Sequence, residues 1–252
     1  SIFKLGFAFS EVGTITPKPQ KGNPKPRVFR LNRDEAIINS LGFPNDGMNK
    51  VSERILNNPK KSILGINIGP NKENADKGDD YLLCIKKLYQ QADYITVNIS
   101  SPNTPNLRGL HDKKKILNLI NLLQSFKKNS IEKKAIIFKL SPNLTNSDID
   151  TLSEIFLEKK IDGLVLTNTT VTGKDSLLDE NKNKNGGLSG YPLISISNYV
   201  IKHFYKNLKG IVPIIGAGGV TDGISAYEKI KCGASLLQLY TAMVFKGPYV
   251  AS

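Results

Sequence analysis

AIIFKLSPNLTNSDIDTLSEIFLEKKIDGLVLTNTT, residues 135–170, reads as a strand, a helix and a second strand. Its two ends, AIIFKLSP (135–142) and DGLVLTNTT (162–170), are apolar, β-branched runs that finish in polar residues. Continuous rather than alternating apolarity fits strands buried on both faces of a parallel sheet. Between them, Ile149, Leu152, Ile155 and Phe156 recur at helical spacing over 148–159. Asn146 or Ser147 is placed to cap that helix by accepting from an orphan amide.

The same pattern extends in both directions. Further strand-like runs are FAFSEVGTI (7–15), SILGINIG (62–69), DYITVNISS (93–101), VPIIGAGG (212–219) and SLLQLYTAMV (235–244). Helical spacing covers 113–128, through Ile116, Leu119, Ile120, Leu123 and Phe126, and shorter patterns cover 79–90, 193–206 and 223–231. Strand–helix alternation predicts an α/β fold, a (β/α)8 TIM barrel. Seven strands are readable, so the first strand and the last helix are expected to lie outside the numbered chain. The expected organisation is one barrel domain over 1–252, with two insertions. One is a Pro- and Gly-rich β excursion at 16–47 that carries RVFRL, and the other is a long polar loop at 171–190.

Composition narrows the class. A chain of 252 residues can bury a sizeable core, and no run approaches the ~20 apolar residues of a membrane span. Lys and Arg number 35 against 22 Asp and Glu, a formal net charge of +13. That excess permits anionic partners, but lysines scattered over helix faces and loops read first as a solvated surface. Cys84 and Cys232 form no CxxC, and His111 and His203 stand isolated, so neither a disulfide framework nor a metal site is expected.

In a barrel, chemistry sits where strands end, on the βα-loops. Those ends carry Thr14, Thr16, Asn67, Asn98, Ser100, Ser101, Asn103, Lys139, Thr167, Asn168, Thr169, Gly218, Gly219, Tyr240 and Thr241. Amides and hydroxyls dominate, with a single lysine and no carboxylate pair. The set lacks the acid–base pair of a glycosidase and the ligands of a metallohydrolase. It suits a planar heterocycle with many amide edges, with Lys139 where negative charge develops. GAGGV (216–220) lacks dinucleotide spacing and alone reads as a plain turn. With LYTAMVF following, a phosphate cradle is the preferred reading.

The strings EVGTITPKPQKGNPKPRVFRL, INSLGF, GINIGPNK, NISSPNTPNLR, TNTT, GGLSG, IIGAGGV and QLYTAMVFKGP together resemble the dihydroorotate dehydrogenases. The closest likeness is to class 2, the membrane-associated, quinone-linked group. The resemblance implies FMN as cofactor and oxidation of (S)-dihydroorotate to orotate, with hydride passing to FMN and electrons then to a quinone. Ser101 matches the catalytic base, where class 1 carries cysteine. Asn39, Phe43, Asn98, Asn103, Asn168 and Thr169 match the pyrimidine pocket. Thr14, Asn67, Asn98, Lys139, Thr167, Ser189, Gly190, Gly218, Gly219, Tyr240 and Thr241 match flavin contacts. Thr104 is a relay candidate on spacing, and 102–112 is a lid candidate.

The family's first barrel strand, with its flavin loop and substrate-contacting lysine, is not in this sequence. Nor is the helical pair that forms its quinone tunnel and membrane foot. The resemblance further implies a monomer without nucleic-acid partners, held peripherally on the cytoplasmic side of a bacterial inner membrane. The alternative address is the mitochondrial inner membrane. Two rivals remain at this point: a tRNA-dihydrouridine synthase, in which the +13 charge serves RNA, and a non-catalytic phosphate-binding barrel fragment.

Overall fold

The computed structural model describes residues 2–58, 62–74, 77–102 and 112–252. Seven strands form one all-parallel sheet: β1 (Phe9–Ile15), β4 (Ile63–Ile68), β5 (Tyr94–Asn98), β6 (Ala135–Leu140), β7 (Leu164–Leu166), β9 (Ile214–Ala217) and β10 (Leu236–Gln238). They pair in that order, so the sheet curls as the barrel reading requires, with β1 and β10 as its edges. All seven predicted strands are present. The last is shorter than read, because only 236–238 is strand. The rest turns into α7 (Thr241–Lys246) and a 3-10 turn at Pro248–Ala251.

The predicted helices appear as α2 (Lys77–Leu88), α3 (Lys113–Asn129), α4 (Asn146–Glu158), α5 (Ile194–Leu208) and α6 (Gly223–Lys231). The cap of α4 differs from the expectation. Thr145, not Asn146 or Ser147, accepts from the Asp148 N–H, while the Asp148 carboxylate accepts from the Thr145 N–H. This reciprocal pairing satisfies two orphan donors at once, which a cap one residue later would not. A further helix, α1 (Gly47–Asn57), was not read from sequence, although Met48, Val51 and Ile55 pack against the main core.

The two insertions are a single structure. β2 (Val28–Leu31) and β3 (Ala36–Asn39) pair antiparallel, and β8 (Gly187–Gly190), from within the segment read as a polar loop, adds to β3. Leu31, Ala36, Ile38, Leu177 and Leu188 bury a small core of their own beneath this sheet. The correction to the 171–190 loop follows from that. GGLSG presents one large apolar side chain, and its strand character comes from the β3 edge offered by residues ~150 positions earlier.

The main core lies between the sheet and its helices. Tyr81, Ile85 and Leu88 of α2, Ile116 and Ile120 of α3, and Phe156 and Phe204 of α4 and α5 are fully buried there. Phe138, Phe156 and Phe204 stack with centroids 6.2 and 6.4 Å apart. Each such side chain contributes ~1.5–3 kcal/mol. This layer fixes the outward residues of the strands and leaves the alternate residues facing the barrel interior. Interior positions follow from register: Glu11 beside Gly65 and Tyr94, Asn67 beside Thr96 and Ile137, and Asn98 beside Lys139, Val165 and Ile215.

Candidate active site

At the C-terminal ends of β1, β4 and β5, four predicted residues meet in one hydrogen-bonded chain. The Thr14 hydroxyl donates to Asn67 Oδ1 at 2.7 Å, and Asn98 Nδ2 donates to Thr14 Oγ1 at 3.1 Å. Asn98 Oδ1 accepts from the Ser100 hydroxyl at 3.1 Å and from Asn168 Nδ2 at 3.4 Å. Asn168 Nδ2 also donates to Ser100 Oγ at 2.9 Å, and its own carbonyl accepts from the Thr169 N–H at 2.8 Å. Four strands are needed to build this chain, since β7 supplies Asn168 through the TNTT turn. The chain reaches inward as well: Asn67 Nδ2 donates to Glu11 at 2.8 Å, and the Thr96 hydroxyl donates to the same carboxylate at 2.7 Å.

Ser101 lies at the end of β5 and is 5 % exposed, next to fully buried Ser100. Lys139 neighbours Asn98 in register at the mouth, half-buried, and its side chain makes no hydrogen bond or ion pair among the described residues. Thr167 is buried, its N–H tied to the Ala217 carbonyl and its hydroxyl to the Asn168 carbonyl. Asn39 ends β3 opposite Gly187, and a Cβ on Gly187 would lie 2.0 Å from Thr169 Oγ1. Asn39 and Thr169 therefore flank the same glycine. Phe43, at φ +54°, sets its ring edge against Gly69, which also contacts Thr14. Asn103, Thr104, His111 and most of the lid candidate lie outside the described residues. Pro102, at the start of that segment, borders a cavity of about 330 Å³ with Asn23, Ser40 and Lys72.

A second cluster gathers at β8, β9 and α7. The Thr241 hydroxyl donates to Ser189 Oγ at 2.9 Å, and Gly190 lies against Thr241. From Gly190 the chain passes through a 3-10 turn at Tyr191–Leu193 into α5, whose first residue, Ile194, packs under Gly219. A Cβ on Gly219 would meet Ile194 at 2.5 Å, and one on Gly218 would meet Leu193 at 2.8 Å. Gly218 and Gly219 have positive φ, +98° and +78° respectively, which other residues rarely adopt. The loop is thus bare backbone, whose N–H groups suit the phosphate of a flavin nucleotide, while the Ser189 hydroxyl donates to the Ile37 carbonyl at 3.2 Å. Tyr240 is different: its side chain is 78 % exposed and joins neither cluster.

Sequence reasoning missed Glu11, Thr96 and Gln238. Gln238 Nε2 donates to Glu11 at 3.0 Å, so this carboxylate gathers donors from β4, β5 and β10. A signal was available, because Glu11 interrupts an apolar run in the way that Lys139 interrupts IIFKL.

The family profile described as Dihydroorotate dehydrogenase matches residues 1–252. The chain belongs to the dihydroorotate dehydrogenase family. It is 45% identical over 251 residues to Dihydroorotate dehydrogenase (quinone) of Bartonella tribocorum, spanning 98% of this chain and 70% of the relative. It is 43% identical over 261 residues to the mitochondrial Dihydroorotate dehydrogenase (quinone) of Mus musculus, spanning 100% of this chain and 66% of the relative. The crystal structure of DHODH in complex with ferulenol from Eimeria tenella superposes with a TM-score of 0.95 at 38% identity, covering 99% of this chain and 74% of that one. Dihydroorotate dehydrogenases are flavin-dependent, and the quinone-linked relatives include bacterial and mitochondrial proteins. The dihydrouridine synthase alternative is set aside by this membership.

Proposed function

We propose that this chain oxidises (S)-dihydroorotate to orotate in pyrimidine biosynthesis, using FMN and passing the electrons to a quinone. The observation that carries the reading is the chain of Thr14, Asn67, Asn98, Ser100 and Asn168 at the barrel mouth, flanked by Lys139, whose side chain has no partner among the described residues. Asparagine both donates and accepts, so neighbouring amides can satisfy the alternating carbonyl and N–H edge of a pyrimidine. Family membership supplies the reaction.

Bound FMN supplies the acceptor for the hydride that leaves C6 of the substrate. Gly218, Gly219, Ser189 and Thr241 would hold its phosphate, and Thr14, Asn67, Lys139 and Thr167 its ring system. Gly190 and Tyr240 complete the expected contacts. Asn39, Phe43, Asn98, Asn103, Asn168 and Thr169 hold the pyrimidine. Ser101 takes the proton from C5. A serine hydroxyl is a weak base near neutral pH, so that proton moves on through water or an adjacent hydroxyl. Lys139 offsets negative charge as it develops beside it. A quinone is dissolved in lipid, which places the enzyme at a membrane surface. We assign the cytoplasmic face of a bacterial inner membrane, with the mitochondrial inner membrane as the alternative. No described helix is long and apolar enough to cross a membrane.

An anaerobic visible spectrum, before and after adding dihydroorotate, tests the reading. A flavin spectrum that bleaches supports it; one that persists overturns the substrate assignment. Ser101→Ala should retain flavin and lose its reduction, and reduction at the wild-type rate would remove Ser101 from the role of base.

A further inference from the structure

We propose that Glu11 is a positioning residue, the acceptor terminus that holds the amide of Asn67 and the hydroxyl of Thr14 in one donor–acceptor sense. The inference rests on the reading above, in which those two groups face the flavin.

Side-chain amides and hydroxyls can each turn round, so a chain of them has two senses unless its ends are fixed. The mouth chain has a donor-only end. The Ser100 N–H donates to Asn98 Oδ1 at 3.3 Å and the Thr169 N–H to Asn168 Oδ1 at 2.8 Å, and a backbone N–H can do nothing else. Its other end is a carboxylate, which can only accept. Glu11 Oε1 takes Asn67 Nδ2, while Oε2 takes the Thr96 hydroxyl and Gln238 Nε2. With its N–H committed to Glu11, Asn67 must turn its carbonyl to Thr14. The one Thr14 proton goes there, and Asn98 donates to the Thr14 oxygen. Every bond in the chain then agrees in sense. The near end needs no carboxylate, because backbone amides fix Asn98 and Asn168. Among the described residues the side chains of Asn67 and Thr14 have no such backbone anchor, so their orientation depends on Glu11. Without it, Asn67 can reverse, Thr14 can accept from both amides, and its proton is released from the network.

The test uses the full-length, flavin-loaded protein and compares Glu11→Gln with Glu11→Asp. Glutamine keeps the shape and loses the acceptor-only character; aspartate keeps the character and loses length. The Glu11→Gln variant should bind FMN about tenfold more weakly and shift the visible band of the oxidised flavin. Its orotate affinity should change less than twofold. Glu11→Asp should lie nearer the wild type. Thr14→Val should reproduce the flavin loss, and adding Glu11→Gln to it should cost nothing more. A wild-type spectrum and FMN affinity in Glu11→Gln, or a Glu11→Asp defect larger than that of Glu11→Gln, would overturn the proposal. Should the variants fail to fold, a neutron structure of the wild type decides. Amide deuterons of Asn67 facing Glu11, with the Thr14 deuteron facing Asn67, support the proposal, and the reverse sinks it. Failure of wild-type flavin to bleach with dihydroorotate would instead indict the functional reading and leave the neutron result standing.

Discussion

The inner wall of the barrel is polar on one side and apolar on the other. Strands β1, β4 and β5 turn Glu11, Asn67, Tyr94, Thr96 and Asn98 inward, while β6, β7 and β9 turn Ile137, Val165, Ile215 and Ala217 inward. Both walls are backed by the same apolar layer of helices. Most of the polar wall is held by internal pairing: Glu11 alone collects three donors, while the buried Tyr94 hydroxyl has no hydrogen-bond partner among the described residues. Burial, and next the charge of Glu11, push the Tyr94 phenol well above its ordinary value, so it stays neutral in that wall. The apolar wall has no such partners to offer, and it contributes shape and dryness. Lys139 sits on the seam, beside Asn98 on one side and Val165 on the other. The contrast teaches that within the barrel hydrogen-bond chemistry keeps to the β1, β4 and β5 arc, with a charge at its boundary, and that only at the mouth does Asn168, just past β7, join it.

Removing the boundary charge should have the largest effect. Lys139→Ala is expected to lose flavin or to slow flavin reduction by ~100-fold or more, read by stopped-flow absorbance; an unchanged spectrum and rate would make Lys139 structural. Next comes an attempt to make the apolar wall resemble the polar one. Ile215→Asn places an amide among Ile137, Val165 and Ala217, where its register neighbours Val165 and Leu236 offer it no side-chain partner. It should destabilise the protein by ~2–4 kcal/mol, seen as a lower urea midpoint, and a neutral result would mean that the apolar wall tolerates polarity.

The smallest effect concerns the outer face of the apolar wall. Lys229 is fully buried behind Gly216 and donates to Ser197 Oγ and Asn198 Oδ1, both at 2.7 Å. Burial lowers its pKa from 10.5 to about 8. Between those values the unfolded state binds the extra proton, so folded stability rises with pH through that window. Below about pH 8 both states are charged, and the full burial penalty applies. Against Lys229→Met, wild-type stability should therefore gain up to ~3 kcal/mol from pH 8 to pH 10.5. A difference that stays flat with pH would refute the lowered value.

Much of this was legible in the residues. The seven strands and five of the helices follow from local apolar periodicity, which needs only neighbours in sequence to be read. Short motifs such as NISSPNTPNLR and TNTT carry their own turn chemistry, and they placed Asn98, Ser101 and Asn168 at strand ends. Helix α1 was also within reach of pattern, although Met48, Val51 and Ile55 make a sparse stripe. Strand β8 was not, since GGLSG becomes a strand only where β3 offers it an edge. Tyr240, matched by motif, lies exposed just past the edge strand β10.

By itself, then, the sequence determined which segments are strands and helices, and which polar residues end them, because those properties depend on period and turn chemistry. Tertiary structure decided which of those ends meet. The bonds from Asn67 to Glu11, from Asn98 to Thr14 and from Thr241 to Ser189 join residues 56, 84 and 52 positions apart. Sheet register sets those meetings, and a shift of one residue turns every interior group to the other face. The donor–acceptor sense of the mouth is a property of the assembled chain, fixed at one end by backbone amides and at the other by a carboxylate on a different strand.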